Sequence, residues 1–138
     1  PYTPPLDNIL LHGTIIKQGS LYMENADRFV TLRKGLLEFL ILGIVSSRKV
    51  YAADILQRLG KTDFATQEGT LYPLLSKMRR EGLLDYEWQE SEFGPPRKYY
   101  KPTPTGEKLL QEFQSYWLFL STTIQNLGEE NDANRETN

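Results

Sequence analysis

Between residues 68 and 80 the apolar side chains fall on a single helical stripe. Leu71, Leu74, Leu75 and Met78 sit at i, i+3, i+4 and i+7. Gly82 follows where a left-handed residue would end that helix, and Leu83 supplies the apolar contact such a stop carries. The period then switches to two. Leu84, Tyr86 and Trp88 alternate with Asp85, Glu87 and Gln89, which predicts a half-buried strand. Gly94-Pro95-Pro96 predicts a stiff turn, and a basic return strand carries Arg97, Lys98 and, further on, Lys101.

Upstream, LRKGLLEFLILGIV lies in a helix predicted over residues 26–46, apolar nearly all round and therefore central, with Arg33 and Lys34 in its early turns. VYAADILQRL predicts a second helix with Ala52, Ile55, Leu56 and Leu59 inward and Gly60 as its stop. Thr66 is the expected N-cap of the third helix, and Pro73 inside that helix should bend its first turns. Thr103-Pro104 is a strong start signal for a last helix. Its residues Phe113, Trp117, Leu120, Ile124 and Leu127 repeat with a heptad spacing, widened by Leu109, Leu110, Tyr116, Leu118 and Phe119. That helix, about 24 residues over 104–127, would reach roughly 36 Å, longer than a small domain can cover by itself. Part of it should pack on another chain.

These elements predict a mainly α protein with a small β-hairpin: a winged helix-turn-helix plus a long C-terminal dimerisation helix. The expected divisions are an arm over 1–25, a DNA-binding domain over 26–102, the dimerisation helix over 103–128 and a disordered acidic tail over 129–138. The arm reads as a short strand pair or an irregular segment. Met23, just ahead of the first convincing helix, is expected to be an original start, so the preceding residues need not be native.

A chain of 138 residues supports one modest core, and the lack of cysteine excludes disulfides, thiolate metal sites and a cysteine nucleophile. No apolar run is long enough to span a bilayer, so a soluble, cytoplasmic protein with no membrane partner is expected. The net charge of −2 is unevenly spread. Residues 61–106 hold seven Lys/Arg and seven Asp/Glu, whereas residues 107–138 hold two against six. The acidity belongs to the C-terminal end, and charge alone does not decide for or against nucleic acid.

A helix that reads DNA needs an exposed face and phosphate donors around it. Opposite its apolar stripe the third helix offers Gln67, Thr70, Tyr72, Ser76, Lys77 and Arg80. Gln67 and Thr70 are placed to meet base edges, and Tyr72 and Lys77 to hold phosphates. The plain alternative is a solvated helix face. Arg97 and Lys98 on a rigid hairpin suit phosphate or minor-groove contact. Their alternative is to balance Glu87, Glu90 and Glu92 across the hairpin. His12, the single histidine, has no ligand or carboxylate partner around it, and no phosphate loop is present. No enzyme, metal or cofactor is expected. A winged helix used for protein–protein contact is the competing function.

EGTLYPLLSKMRREGLL, then W-x-E-S, then GPPRKYYKPTPTGEKLL resembles the PadR family of bacterial transcriptional regulators over about residues 32–127. The single C-terminal helix looks like the smaller PadR subfamily, and the first 22 residues have no counterpart in the family pattern. The resemblance implies a homodimer held by the last and first helices, with Phe113, Trp117, Leu120, Ile124 and Leu127 at the interface. It implies operator binding through Thr70, Tyr72 and the Arg97/Lys98 wing, usually as a repressor on a palindromic site. It also implies that a planar aromatic or phenolic effector could lie against Phe113, Tyr116, Trp117 and Leu120. Plain subunit packing explains the same aromatics.

Overall fold

A computed structural model describes residues 8–11, 14–17 and 26–136, with side chains given for 28–129, 135 and 136. His12 and Met23 lie outside the described residues. The chain divides into two compact units, Pro1–Leu36 and Leu37–Asn138. The first holds an antiparallel pair, β1 (Asn8–Leu11) and β2 (Thr14–Lys17), with Ile9 opposite Ile16 and Leu10 opposite Ile15. Of the two readings of the arm, this is the strand pair. A 3-10 turn, Ala26–Phe29, then leads into α1 (Val30–Ser47), which runs on into the second unit.

The second unit continues with α2 (Ala52–Gly60), α3 (Glu68–Arg80), the hairpin β3 (Leu84–Ser91) and β4 (Gly94–Pro102), and α4 (Pro104–Glu136). Its core joins Ile41, Leu42 and Val45 of α1 to Val50, to Ile55 and Leu59 of α2, and to Leu71, Leu75 and Met78 of α3. Leu83, Leu84 and Tyr100 close it from the hairpin side. A proline in a helix interior costs about 3 kcal/mol. Leu71, Leu75 and Met78 are almost completely buried, and each side chain returns about 1.5–3 kcal/mol, so packing holds α3 together despite Pro73. The N-cap is Gln67 rather than Thr66, and it makes no side-chain cap bond. Its backbone carbonyl instead accepts from the N–H groups of Thr70 and Leu71, both at 3.0 Å.

Gly82 has φ of 75°, the left-handed conformation expected at this stop. The N–H of Leu83 then bonds back to the Met78 carbonyl at 2.9 Å, which reverses the chain into β3. At the other end of the hairpin, the Thr103 N–H donates to the Leu83 carbonyl at 3.1 Å, and its hydroxyl donates to the Gly82 carbonyl at 2.5 Å. The same hydroxyl oxygen accepts from the Gly106 N–H at 3.0 Å, capping α4 as the Thr-Pro signal predicts. Gly106 is fixed by contact: a Cβ there would stand 2.1 Å from the Leu83 carbonyl oxygen.

Three further expectations need correction. The hairpin turns at Glu92–Phe93, while Gly94-Pro95-Pro96 opens β4. The register runs from Gln89↔Arg97 to Ser91↔Gly94, so Pro95 and Pro96 together face Glu90 in a bulge, where residues without an N–H cost no ladder bond. Trp88, expected to be half-buried, is 60% exposed, because Tyr86 and Lys98 are the groups that meet its ring. Gly128 does not stop α4, which continues to Glu136 in place of the expected disordered tail. Gly82 is the glycine with positive φ among the described residues, so Gly128 is carried as an ordinary helical residue. Gln125 bonds Glu129 across it at 3.4 Å.

Candidate nucleic-acid interface

The buried stripe of α3 fixes which way its other residues point. At about 100° per residue, Gly69, Pro73, Ser76 and Arg80 lie opposite Leu71, Leu75 and Met78, and all four are exposed. Tyr72 and Arg79 occupy the flank toward the hairpin. Thr70 and Lys77 occupy the other flank, where Lys77 pairs with Glu38 of α1 at 3.7 Å and Glu81 at 3.4 Å.

The hairpin completes the surface. One cleft is lined by Tyr51, Ala52, Ala53, Tyr72, Arg97, Lys98 and Tyr100, which joins the start of α2, α3 and β4. A second, about 450 Å³, joins Ser76, Arg79 and Arg80 of α3 to Tyr86 and Lys98 of the hairpin. Lys98 borders both. Tyr72 and the Arg97–Lys98 strand therefore share one continuous outward surface with Ser76, Arg79 and Arg80.

The cations on this surface rest on aromatic rings. The Arg79 guanidinium carbon stands 4.3 Å from the Tyr86 ring centre and Lys98 Nζ 4.4 Å from the same ring. Lys98 Nζ is also 5.3 Å from Trp88, and Arg97 stands 5.1 Å from Tyr51. Such exposed contacts contribute about 0.5–1 kcal/mol, enough to bias orientation but weak enough to yield to a phosphate. Tyr51 itself packs against Tyr99 with ring centres 3.9 Å apart and the rings tilted by 42°, and Tyr86 lies 6.1 Å from Tyr100. Burial pushes the Tyr100 phenol above its ordinary value, with Tyr72 and Tyr86 adding to the rise and Arg79 opposing it.

The hairpin acids do not claim the wing cations. Glu87 bonds Lys49 and pairs with Lys101 at 3.7 Å. Its carboxyl is held below the usual glutamate value, first by the hydrogen bond from Lys49, then by Gln89 and the charges of Lys49 and Lys101. Among the described residues no ion pair takes up Arg97 or Lys98. Strand alternation accounts for Lys98, which shares a face with Tyr86 and Trp88; Arg97, opposite Gln89, lies on the face of Glu87 and Lys101 but stands over the Tyr51 ring instead.

Arg79 is a member that sequence reasoning passed over in favour of Arg80. Its signal was the Arg79-Arg80 pair at the end of a helix whose next element returns alongside it. Gln67 and Thr70 are exposed at the start of α3 but border neither cleft.

The aromatics of α4 form a separate surface. Phe113 stacks on Phe39 of α1 at 4.0 Å with the rings 8° from parallel, and Leu109 and Leu110 pack on the core. Beyond that point the stripe is uncovered: Trp117 is 40% exposed, Ile124 64% and Leu127 57%. The Trp117 ring lies 6.0 Å from Phe113, and Leu120 is half-buried. No helix among the described residues is long and apolar enough to cross a membrane.

A three-helix head with its third helix exposed beside a hairpin that carries Arg97 and Lys98 is a winged helix-turn-helix. Comparison with known proteins gives the family. Residues 41–112 match the model of the transcriptional regulator PadR-like family. A transcriptional regulator of Mycobacterium tuberculosis is 35% identical over 72 residues, 52% of this chain and just under two thirds (66%) of that protein. The crystal structure of a PadR-like transcriptional regulator from Bacillus cereus is 41% identical, with a TM-score of 0.64 over 70% of this chain and 95% of that one. A PadR family regulator from Eggerthella lenta is 28% identical, with a TM-score of 0.67 over 79% and 96%. The chain belongs to the PadR-like family of transcriptional regulators.

Proposed function

We propose that this protein is a homodimeric repressor that binds a palindromic operator in bacterial cytoplasm. The observation that carries the reading is the shared surface of Tyr72, Arg97 and Lys98 at the junction of α3 and the hairpin. In it α3 enters the major groove, with Gln67, Thr70 and Ser76 toward the bases, while Tyr72, Arg79, Arg97 and Lys98 hold phosphates beside the groove. Lys77 contributes least, since Glu38 and Glu81 already neutralise it.

The second copy covers the outer half of α4. Trp117, Ile124 and Leu127 are uncovered in a single chain, which is the condition under which a heptad stripe finds a mate. Two heads held this way would place two copies of α3 in successive major grooves about 34 Å apart. Selection of duplexes from a random pool by the purified protein tests the reading. The expected product is an inverted repeat whose half-sites lie about 10 base pairs apart; no enriched sequence would overturn it.

A planar aromatic effector at Phe113, Tyr116, Trp117 and Leu120 is a second reading, favoured by the 40% exposure of Trp117 beside the Phe39–Phe113 stack. Binding there would shift the relative position of the two heads and release the operator. Quenching of Trp117 fluorescence by phenolic compounds, in a Trp88→Phe background, is the expected result. A flat titration would leave these residues to subunit packing alone.

A further inference from the structure

Pro73 stands inside α3 and has no N–H, so the Gly69 carbonyl four residues earlier lacks the donor that a helix normally gives it. A proline ring at this position also crowds the carbonyl four residues earlier, a clash that helices relieve by bending. Both residues are exposed, and they lie on the line of α3 opposite its buried stripe, together with Ser76 and Arg80. The space beside the Gly69 Cα is open: a Cβ there would meet nothing within 4 Å. The first turn of the helix thus presents a bare backbone acceptor where a recognition helix comes nearest to base edges.

We infer that the Gly69 carbonyl reads sequence, accepting a hydrogen bond from the exocyclic amino group of a cytosine or adenine in the major groove. This rests on the operator-binding reading above. Cytosine N4 and adenine N6 are the major-groove donors, whereas guanine and thymine set acceptors at the same edge. The hydroxyls of Thr70 and Ser76 rotate between donor and acceptor and discriminate less. A carbonyl can only accept. At its position a guanine or thymine would oppose two acceptors and leave both without a partner.

The test compares the full-length wild type with Pro73→Ala and Gly69→Ala, each used to select duplexes from a random pool and then titrated against single-base variants of the enriched site. Wild type is expected to restrict one position in each half-site to adenine or cytosine on one strand. Pro73→Ala restores the N–H and occupies the carbonyl within the helix. Its preference at that position should vanish, with affinity for the enriched site falling about three- to tenfold and the salt dependence unchanged. Gly69→Ala leaves the carbonyl free, because a helical Cβ leans toward the N-terminus and the carbonyl points the other way; it should keep the preference, and its open surroundings leave folding intact. An unchanged base preference in Pro73→Ala would overturn this inference and leave operator binding standing. A wild type that enriches no sequence would overturn the operator reading, and this inference with it.

Discussion

Gly106 shows how little freedom some single positions have. Its missing side chain lets α4 start against Leu83: a Cβ there would stand 2.1 Å from the Leu83 carbonyl oxygen, which also accepts from Thr103. Gly106→Ala should therefore cost about 1–3 kcal/mol in thermal unfolding, more than Gly82→Ala, whose φ of 75° is strained by a side chain but meets no neighbour. The reverse order would mean that the α3–β3 stop, rather than the start of α4, is the rigid point. Glu87 makes a second residue-level case. Its folded value lies below the ordinary one, so its contribution is present above the glutamate range and is lost as pH falls through it. Glu87→Gln should lower stability at neutral pH, with the difference from wild type fading below about pH 4 in chemical denaturation. Gly82 and the Thr103-Pro104 start were legible because each uses a local rule. Gly106 was not, since its constraint comes from a carbonyl distant in sequence.

At the scale of elements, periodicity carried most of the fold. The stripe of α3 names its buried side, the alternation of β3 puts Leu84 inward, and the heptad of α4 begins at Phe113, which packs on Phe39. The errors arose where two local signals competed. Pro95 and Pro96 suggested a turn, but a bulge opposite Glu90 accommodates them within β4. Gly128 suggested a stop, yet a single glycine costs only about 1 kcal/mol in a helix that flanking residues sustain. Trp88 followed the strand period but lies toward the outer end of the hairpin, where Lys98 and Tyr86 are its ring's neighbours. The division of the α4 stripe follows from chain geometry: Phe113 finds Phe39, while Ile124 and Leu127 remain uncovered. Ile124→Glu should accordingly yield monomers in sedimentation while the head keeps its fold by circular dichroism, and Leu120→Glu should do the same. A dimer that survives both changes would place the interface elsewhere.

For the whole molecule, a net charge of −2 conceals an ordered separation of charge. Glu87 is tied to Lys49 and Lys101 on one hairpin face, and Lys77 to Glu38 and Glu81 on the far flank of α3. Arg79, Arg97 and Lys98 are left on aromatic supports around the groove-sized helix. The sequence supplied the residues of this surface but not their pairing, because net charge over residues 61–106 is blind to which face each side chain takes. The most direct measurement is the salt dependence of operator affinity for wild type and for Arg97→Ala combined with Lys98→Ala. Wild type should lose affinity steeply between about 50 and 200 mM salt, and the double variant should bind more weakly, with a slope shallower by about 2 per head. A double variant with wild-type affinity and the same slope would contradict the account.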